Sequence, residues 1–270
     1  ARRSGSVARD ALYSLGPLAL KAGVWTVVEW MHSNGVGQLY DEPVSSAWHA
    51  LYLLLSVAAL DYLHDGWFYL THRLLHWRPL YRHVHYIHHL SKQPSAFTGY
   101  SFHVVEALIV FANEVFVCLL FPLHIRLHRA YHLATTIIHQ GGHAGYEIAP
   151  FIPTAAGLAS LLMHGPSAQP PAGLNTVRHH DMHHRFPGRH FSLYFTHWDR
   201  WLGTLHPDYD ASVSRHFREA KSEAGGVGTC AGEEDAGCVV KRGTGAAAGG
   251  AEPALRTHSA RSANGAGSPK

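Results

Sequence analysis

At 270 residues with 46% hydrophobic content, the chain has material for one large domain, and a second full domain is not expected. Its net charge of +3, with Lys and Arg scattered along the chain, gives no footprint for nucleic acid. Cys118, Cys230 and Cys238 show no CxxC spacing, which argues against a disulfide framework or a zinc–thiolate site and fits a reducing compartment. The anomaly is histidine: 25 residues against 22 Lys plus Arg, a number that packing does not require.

Residues 1–10 lack the apolar core of a signal peptide, and without an initial methionine the chain is expected to be processed or a fragment. Residues 11–30 are largely apolar, with Lys21 and Glu29 as the only charges, and residues 44–60 form a second apolar run ending at Asp61. A third run, 104–120, carries Glu106, Asn113 and Glu114 and is closed by Pro122, and a fourth, 130–138, leads to His139. These runs have about the length of membrane spans, the competing reading being core helices of a soluble protein.

The first histidine motif is His72-x-x-x-His76, with Asp65 seven residues earlier on the same helical stripe. The second, His85-x-x-His88-His89, puts three imidazoles at i, i+3 and i+4, on one face if the segment is helical. His139 and His143 form another i, i+4 pair, although Gly141 and Gly142 weaken its helix. The pattern HxxHH then recurs at His180, His183 and His184. A solvated helix has no reason to concentrate groups whose protonation near neutral pH makes them repel. Recurrence of the motif makes metal binding the stronger reading.

Convergence of these motifs constrains topology, because every intervening segment must leave and return to the same side. The interval 89–139 fits a hairpin of two crossings turning near Pro122-Leu123-His124, while 151–163 is expected to be re-entrant or on the surface. The loop 31–47 has Asp41 and Glu42 but no Lys or Arg and should face away from the cytosol. The histidine side carries Arg73, Arg78, Arg82, Lys92, Arg178, Arg185 and Arg189, with Arg126 and Arg129 running against the trend. Low-complexity text beyond about Glu219 should be disordered. The expected organisation is an N-terminal segment 1–43 with a first membrane helix, a histidine domain 44–215 and a Gly/Ala/Ser-rich tail 216–270.

Ten imidazoles exceed the needs of one ion and suit two. Neutral nitrogen donors fit iron, zinc, copper or nickel, while a structural zinc site is closed by four ligands and usually includes cysteine. Two irons can bind dioxygen and, once reduced, attack an unactivated C–H bond, which suits a hydrocarbon substrate beside apolar helices. Asp65, Glu106 and Asp181 are candidates to accept a hydrogen bond from the outer nitrogen of a ligand ring. The bland alternatives are a capping Asp181 and a membrane-interface Glu106. His83, His103 and His179 stay open, and the remaining histidines are read as surface residues.

The stretches 65–76, 81–98, 101–106, 139–147, 179–186 and 194–204 together resemble the fatty acid hydroxylase and sterol desaturase superfamily of integral-membrane di-iron oxidoreductases. The resemblance, covering about residues 50–209, implies an all-α bundle of about four membrane helices under a histidine-rich cytosolic helical cap, at the endoplasmic reticulum. It implies hydroxylation or desaturation of a lipid, sterol or fatty-acyl, by two iron ions and O2, with electrons from a cytochrome b5-type donor and its reductase. Carried onto this chain, the metal ligands are His72, His76, His85, His88, His89, His139, His143, His180, His183 and His184. Two departures from the family pattern bear on the pocket lid: a proline-rich insert at 165–173, and His190-Phe191-Ser192 where Asn-Tyr/Phe-Gly is common. The rival reading is a histidine-rich zinc or copper transporter or buffer, which expects ionisable residues along a path inside the spans.

Overall fold

A computed structural model of the protein describes residues 2–92, 94–143, 154–165 and 171–225. Expectations about residues 226–270, about 166–170 of the proline-rich insert and about 144–153 lie outside the described residues.

The described chain is mostly helical, in line with the all-α expectation. Helix α1 is Arg2–Ser33 and α2 is Ala47–Leu75. Next come α3 (Arg78–His83), two 3₁₀ helices (His85–Leu90 and Ala96–Tyr100) and α4 (Val104–Leu120). Helices α5 (Ile125–Gly142), α6 (Ala155–His164), α7 (Val177–Arg185), α8 (His197–Trp201) and α9 (Tyr209–Gly225) complete the unit. The tail boundary expected at 216 therefore falls inside α9. Two short strands, β1 (Leu39–Tyr40) and β2 (Leu123–His124), pair in parallel, Leu39 opposite Leu123.

That pairing joins the loop after α1 to the turn between α4 and α5, so both lie at one end of the bundle. At the other end Asp10 of α1 accepts hydrogen bonds from Ser91 (2.6 Å) and Thr98 (2.7 Å), tying the start of α1 to the histidine-bearing segments. Arg126 and Arg129, which run against the charge trend, are matched by carboxylates from the first helix and its loop. Arg126 Nε lies 2.9 Å from Asp41, and Arg129 makes two bonds of 2.6 Å to Glu29. Such exposed pairs add little stability, but they offset the misplaced charge.

Helix α2 runs 15 residues past the expected end of its apolar stretch, from 60 to 75. The charges that interrupt the pattern turn inward: Asp61 accepts from Tyr131 Oη (3.0 Å) and the Ala155 amide (2.6 Å), and Asp65 is fully buried. At 1.5 Å per residue, 29 residues reach about 43 Å, more than the roughly 30 Å of a bilayer core, so His72 sits well along the helix toward its end. Among the described residues only α1, from Ser6 to Ser33, is long and apolar enough to cross a membrane on those criteria. Helix α4, at 17 residues, falls one short in length.

Burial is inverted relative to a water-soluble bundle. Leu54 (63% exposed), Leu108 (57%), Ile137 (63%) and Leu162 (79%) face outward, whereas Lys21 (6%) and Glu114 (1%) are inside. Apolar packing joins the helices at three levels. Val28, Met31, Leu60 and Val117 pack near the strands, Val24, Tyr100 and Phe111 midway, and Phe68, Val177 and Tyr194 beneath the histidines.

Gly37 holds the first loop against α4: its φ is +85°, and a Cβ there would lie 2.6 Å from the Cys118 carbonyl. Gly35, also at positive φ, faces open space. Gly37→Ala is expected to cost about 2–3 kcal/mol and Gly35→Ala about 1 kcal/mol, an order that thermal unfolding in detergent measures directly.

Candidate metal centre

Nine of the ten motif histidines converge in two groups. His72, His76, His85, His89 and His183 form one, and His88, His143, His180 and His184 the other, with the potential ligand atoms of each group within 4.8 Å of one another. The two HxxHH motifs do not act as single faces. In His85–Leu90, a 3₁₀ helix, His85 and His89 fall in one group and His88 in the other. In α7, an α-helix, His180 and His184 share one group and His183 turns to the other. Each motif thus supplies both groups, which brings them side by side.

Backbone carbonyls fix several rings. His72 Nδ1 donates to Phe191 O (3.0 Å), His183 Nδ1 to Arg189 O (2.7 Å) and His143 Nδ1 to His139 O (2.7 Å), while His85 Nδ1 lies 2.8 Å from Glu106 Oε1. A carbonyl only accepts, so the proton of the first three rings is on Nδ1 and Nε2 offers a bare lone pair. At His85 the partner is a buried carboxyl, which can itself hold the shared proton, so the contact fixes the ring's direction.

The Nε2 atoms of the two groups crowd together. His89 Nε2 is 3.1 Å from His85 Nε2, 3.2 Å from His183 Nε2 and 3.3 Å from His76 Nε2. In the second group His143 Nε2 is 3.3 Å from His88 Nε2, and His184 Nε2 is 3.2 Å from His180 Nε2. An ion bonded at about 2.1 Å to two imidazoles, at roughly 90–110°, holds their nitrogens about 3.0–3.4 Å apart. The donor sets therefore fit two metal ions. Burial, reinforced by neighbouring imidazoles, pushes His85, His88, His180, His183 and His184 well below the usual histidine range, and His89 down to about 3. All are neutral at pH 7, the form that ligates.

A model of the fatty acid hydroxylase family matches residues 57–204. The chain belongs to this family. It is 30% identical to lathosterol oxidase of Rattus norvegicus over 182 residues, 64% of this chain and 53% of that one. It is 29% identical to methylsterol monooxygenase erg25B of Aspergillus fumigatus over 189 residues, covering 66% and 55%. With methylsterol monooxygenase 1 of Gallus gallus the identity is 30% over 147 residues, covering 53% and 43%. The chain thus spans about half the length of these relatives. No solved structure matches it.

Nine of the ten ligands that the family resemblance implied fall in these two groups. His139 lies outside both groups, its ring packed near Phe68 (5.6 Å) and Tyr100 (5.5 Å). His143 caps the end of α5, and its ring lies 5.0 Å from that of His139. The three carboxylates also part company. Glu106 bonds a ring as expected. Asp65 instead accepts from the backbone amides of Leu193 (2.7 Å), Tyr194 (2.7 Å) and Phe195 (3.2 Å), and Asp181 pairs at the surface with Arg185 (3.0 Å). Of the histidines left open, His103 caps α4, His83 is exposed, and His179 Nε2 lies 3.1 Å from Asp199.

Asp199 and the segment 189–195 are what the motifs did not reveal. Asp199 accepts from the amides of Phe191 (2.9 Å) and Ser192 (3.0 Å), while Asp65 holds the next three. Two buried carboxylates on separate helices thereby position the carbonyls that orient His72 and His183. Burial works to raise the Asp199 carboxyl, yet hydrogen bonds from His179, Ser192 and Thr204 hold it below its ordinary range. His190, at φ 61°, makes the reversal that starts this segment. The His190-Phe191-Ser192 departure, expected to bear on the pocket lid, thus lies at the base of the histidine centre. Asp199 falls in the quoted stretch 194–204, but a role exerted through backbone amides leaves no spacing to read.

Glu106→Gln keeps the shape but removes the charge that orients His85. It should weaken metal binding about 10–100-fold, measured by competition with a chromophoric chelator, with the helical circular dichroism unchanged.

Proposed function

We propose that this chain is an integral-membrane, O2-dependent di-iron oxidoreductase that hydroxylates or desaturates a lipid. The observation that carries the reading is the two groups of buried and half-buried imidazoles whose Nε2 atoms face one another at 3.1–3.3 Å. His72, His76, His85, His89 and His183 would hold one iron, and His88, His143, His180 and His184 the other. The irons would supply dioxygen activation and an oxidant for an unactivated C–H bond. The protein's own part is positional: carbonyls and Glu106 fix ring tautomers and directions, burial keeps the rings neutral, and Phe68, Phe102 and Val110 line the adjoining cavity with apolar surface that excludes water.

The outward leucines of α1, α2, α4 and α5 support placement in a bilayer with about four helices crossing it. Exposed Trp30 and Trp48 lie at the strand end and Trp77 and Trp201 beside the histidine segments, as interfacial belts would be. With its arginines, the histidine end would face the cytosol, at the endoplasmic reticulum, where a cytochrome b5-type donor and its reductase would supply electrons. The working unit would include α1 as well as residues 44–215, because Asp10 and Lys21 bond to segments on either side of the cap. The relatives named lathosterol oxidase and methylsterol monooxygenase support a sterol as the lipid. A metal transporter fits less well, because the relatives are named as an oxidase and a monooxygenase.

Membranes containing the chain, supplied with O2 and a reduced cytochrome b5-type donor, should oxidise an added sterol. Replacing His85, His88 and His89 by Ala should lower the rate at least about 1,000-fold. Turnover that persists in this variant, or without O2, would contradict the proposal.

A further inference from the structure

We propose that Trp201, Trp198 and Tyr69 form a redox chain that carries single electrons from the surface to the histidine centre when that centre is oxidised and no lipid is there to react. The inference rests on reading the centre as iron that reacts with O2.

Aromatic rings run without a break from the surface to the ligands. The ring of Trp201, 67% exposed, lies 5.7 Å from that of Trp198, and Trp198 lies 6.3 Å from Tyr69, which is fully buried. Tyr69 is 6.1 Å from Phe191, whose ring packs 5.1 Å from His76, 5.6 Å from His72 and 5.7 Å from His183. Phe191 is too hard to oxidise to hold a charge, so it is the one packed ring across which an electron tunnels from Tyr69 to the ligands. Aromatic rings in contact are common in any core. The hydroxyl of Tyr69 sets this row apart.

That hydroxyl has a defined outlet for its proton. Thr204 Oγ1 donates its single hydrogen to Asp199 Oδ1 (2.6 Å), so in the 3.1 Å contact between Tyr69 Oη and Thr204 Oγ1 the phenol is the donor. Arg73 Nη1 donates to the same phenol oxygen (2.9 Å). The bonds therefore run in one direction, from Arg73 through Tyr69 and Thr204 to Asp199. An oxidised phenol is a strong acid. As Tyr69 gives one electron to the centre, its proton passes to Thr204, whose own proton passes to the Asp199 carboxylate, leaving a neutral tyrosyl radical.

Trp198 behaves differently. Its Nε1 is buried without a hydrogen-bond partner among the described residues, so it gives up an electron and keeps its proton. Trp198 returns an electron to Tyr69 while the proton comes back from Asp199, and Trp201 refills Trp198. A thiol or ascorbate in solution then reduces exposed Trp201, so the net change is one electron from that reductant to the centre. A donor protein of low potential leaves tryptophan and tyrosine untouched, and the row conducts only toward a strongly oxidising centre. Tyr81 also touches the ligands, 5.3 Å from His76, but its hydroxyl has no hydrogen-bond partner among the described residues to take the proton.

The test exposes the full chain in detergent, loaded with iron, reduced and free of lipid, to O2. The frozen sample is read by electron paramagnetic resonance and then by peptide mapping. A long-lived tyrosyl signal should appear, be lost in Tyr69→Phe and persist in Tyr81→Phe, with the helical circular dichroism of each variant unchanged. Oxidation products should gather at Trp198 and Trp201 in the unaltered chain, a result that needs no variant to fold, and Tyr69→Phe should shift them to Phe191 and His76. Trp198→Phe should keep the tyrosyl signal and lose oxidation at Trp201. In a second arm, a photogenerated ruthenium(III) complex oxidises the metal-free chain from outside. The same signal should appear, and here Trp198→Phe should abolish it. No long-lived signal in either arm, a signal that survives Tyr69→Phe or depends on Tyr81, or an unaltered chain without oxidation at Trp201 would each overturn the proposal. A signal in the second arm alone would uphold the redox chain and fail the iron reading, so the two failures give different results.

Discussion

The structure depends on one unfavourable arrangement, nine neutral imidazoles gathered in the interior with their lone pairs turned on one another at close range. Burial alone would favour dispersing them, and hydrogen bonding alone would require alternating donors and acceptors. The backbone instead removes the donor role from the inner nitrogen by engaging the outer one, as at His72, His143 and His183. A shared cation turns repulsion between these lone pairs into attraction, and the fold commits resources to holding them there. Asp65 and Asp199 satisfy five consecutive amides, from Phe191 to Phe195, so that the carbonyls of Arg189 and Phe191 stay where the rings need them.

The long helices follow from the same requirement. Helix α2 must cross the bundle and still present His72 and His76, so its length exceeds a simple span and its acidic residues turn inward to serve as acceptors. Helices α4 and α5 form the hairpin that returns His143 to the side it left, and α1 ties both ends together through Asp10 near the cap and Glu29 near the strands. The outer surface is left to leucine and tryptophan. Polar residues organise the interior, and apolar ones face outward.

The histidine motifs and the third apolar run were legible in the chain, the latter to the residue at Val104 and Leu120, because spacing and apolar length are local properties. The end of α2 was not, since Asp61 reads as an interruption until its partners Tyr131 and Ala155 are known. The 3₁₀ form of His85–Leu90 was also hidden, as was the division of each HxxHH motif between two groups, which depends on the helices that pack against it. His139 shares the motif spacing and its ring lies 5.0 Å from that of His143, yet it joins neither group of converging ring nitrogens, a difference that spacing does not record. Asp199 acts through amides of residues seven and eight positions away, a relation that no side-chain pattern records.

The claim that two metal ions are held separately is tested most directly by metal analysis of the chain purified without oxygen and loaded with iron, alongside one double variant from each group. The unaltered chain should bind two irons. His72→Ala/His183→Ala and His143→Ala/His180→Ala should each retain one, with the helical signal preserved. One zinc in place of two irons, or two irons retained by both variants, would contradict the account.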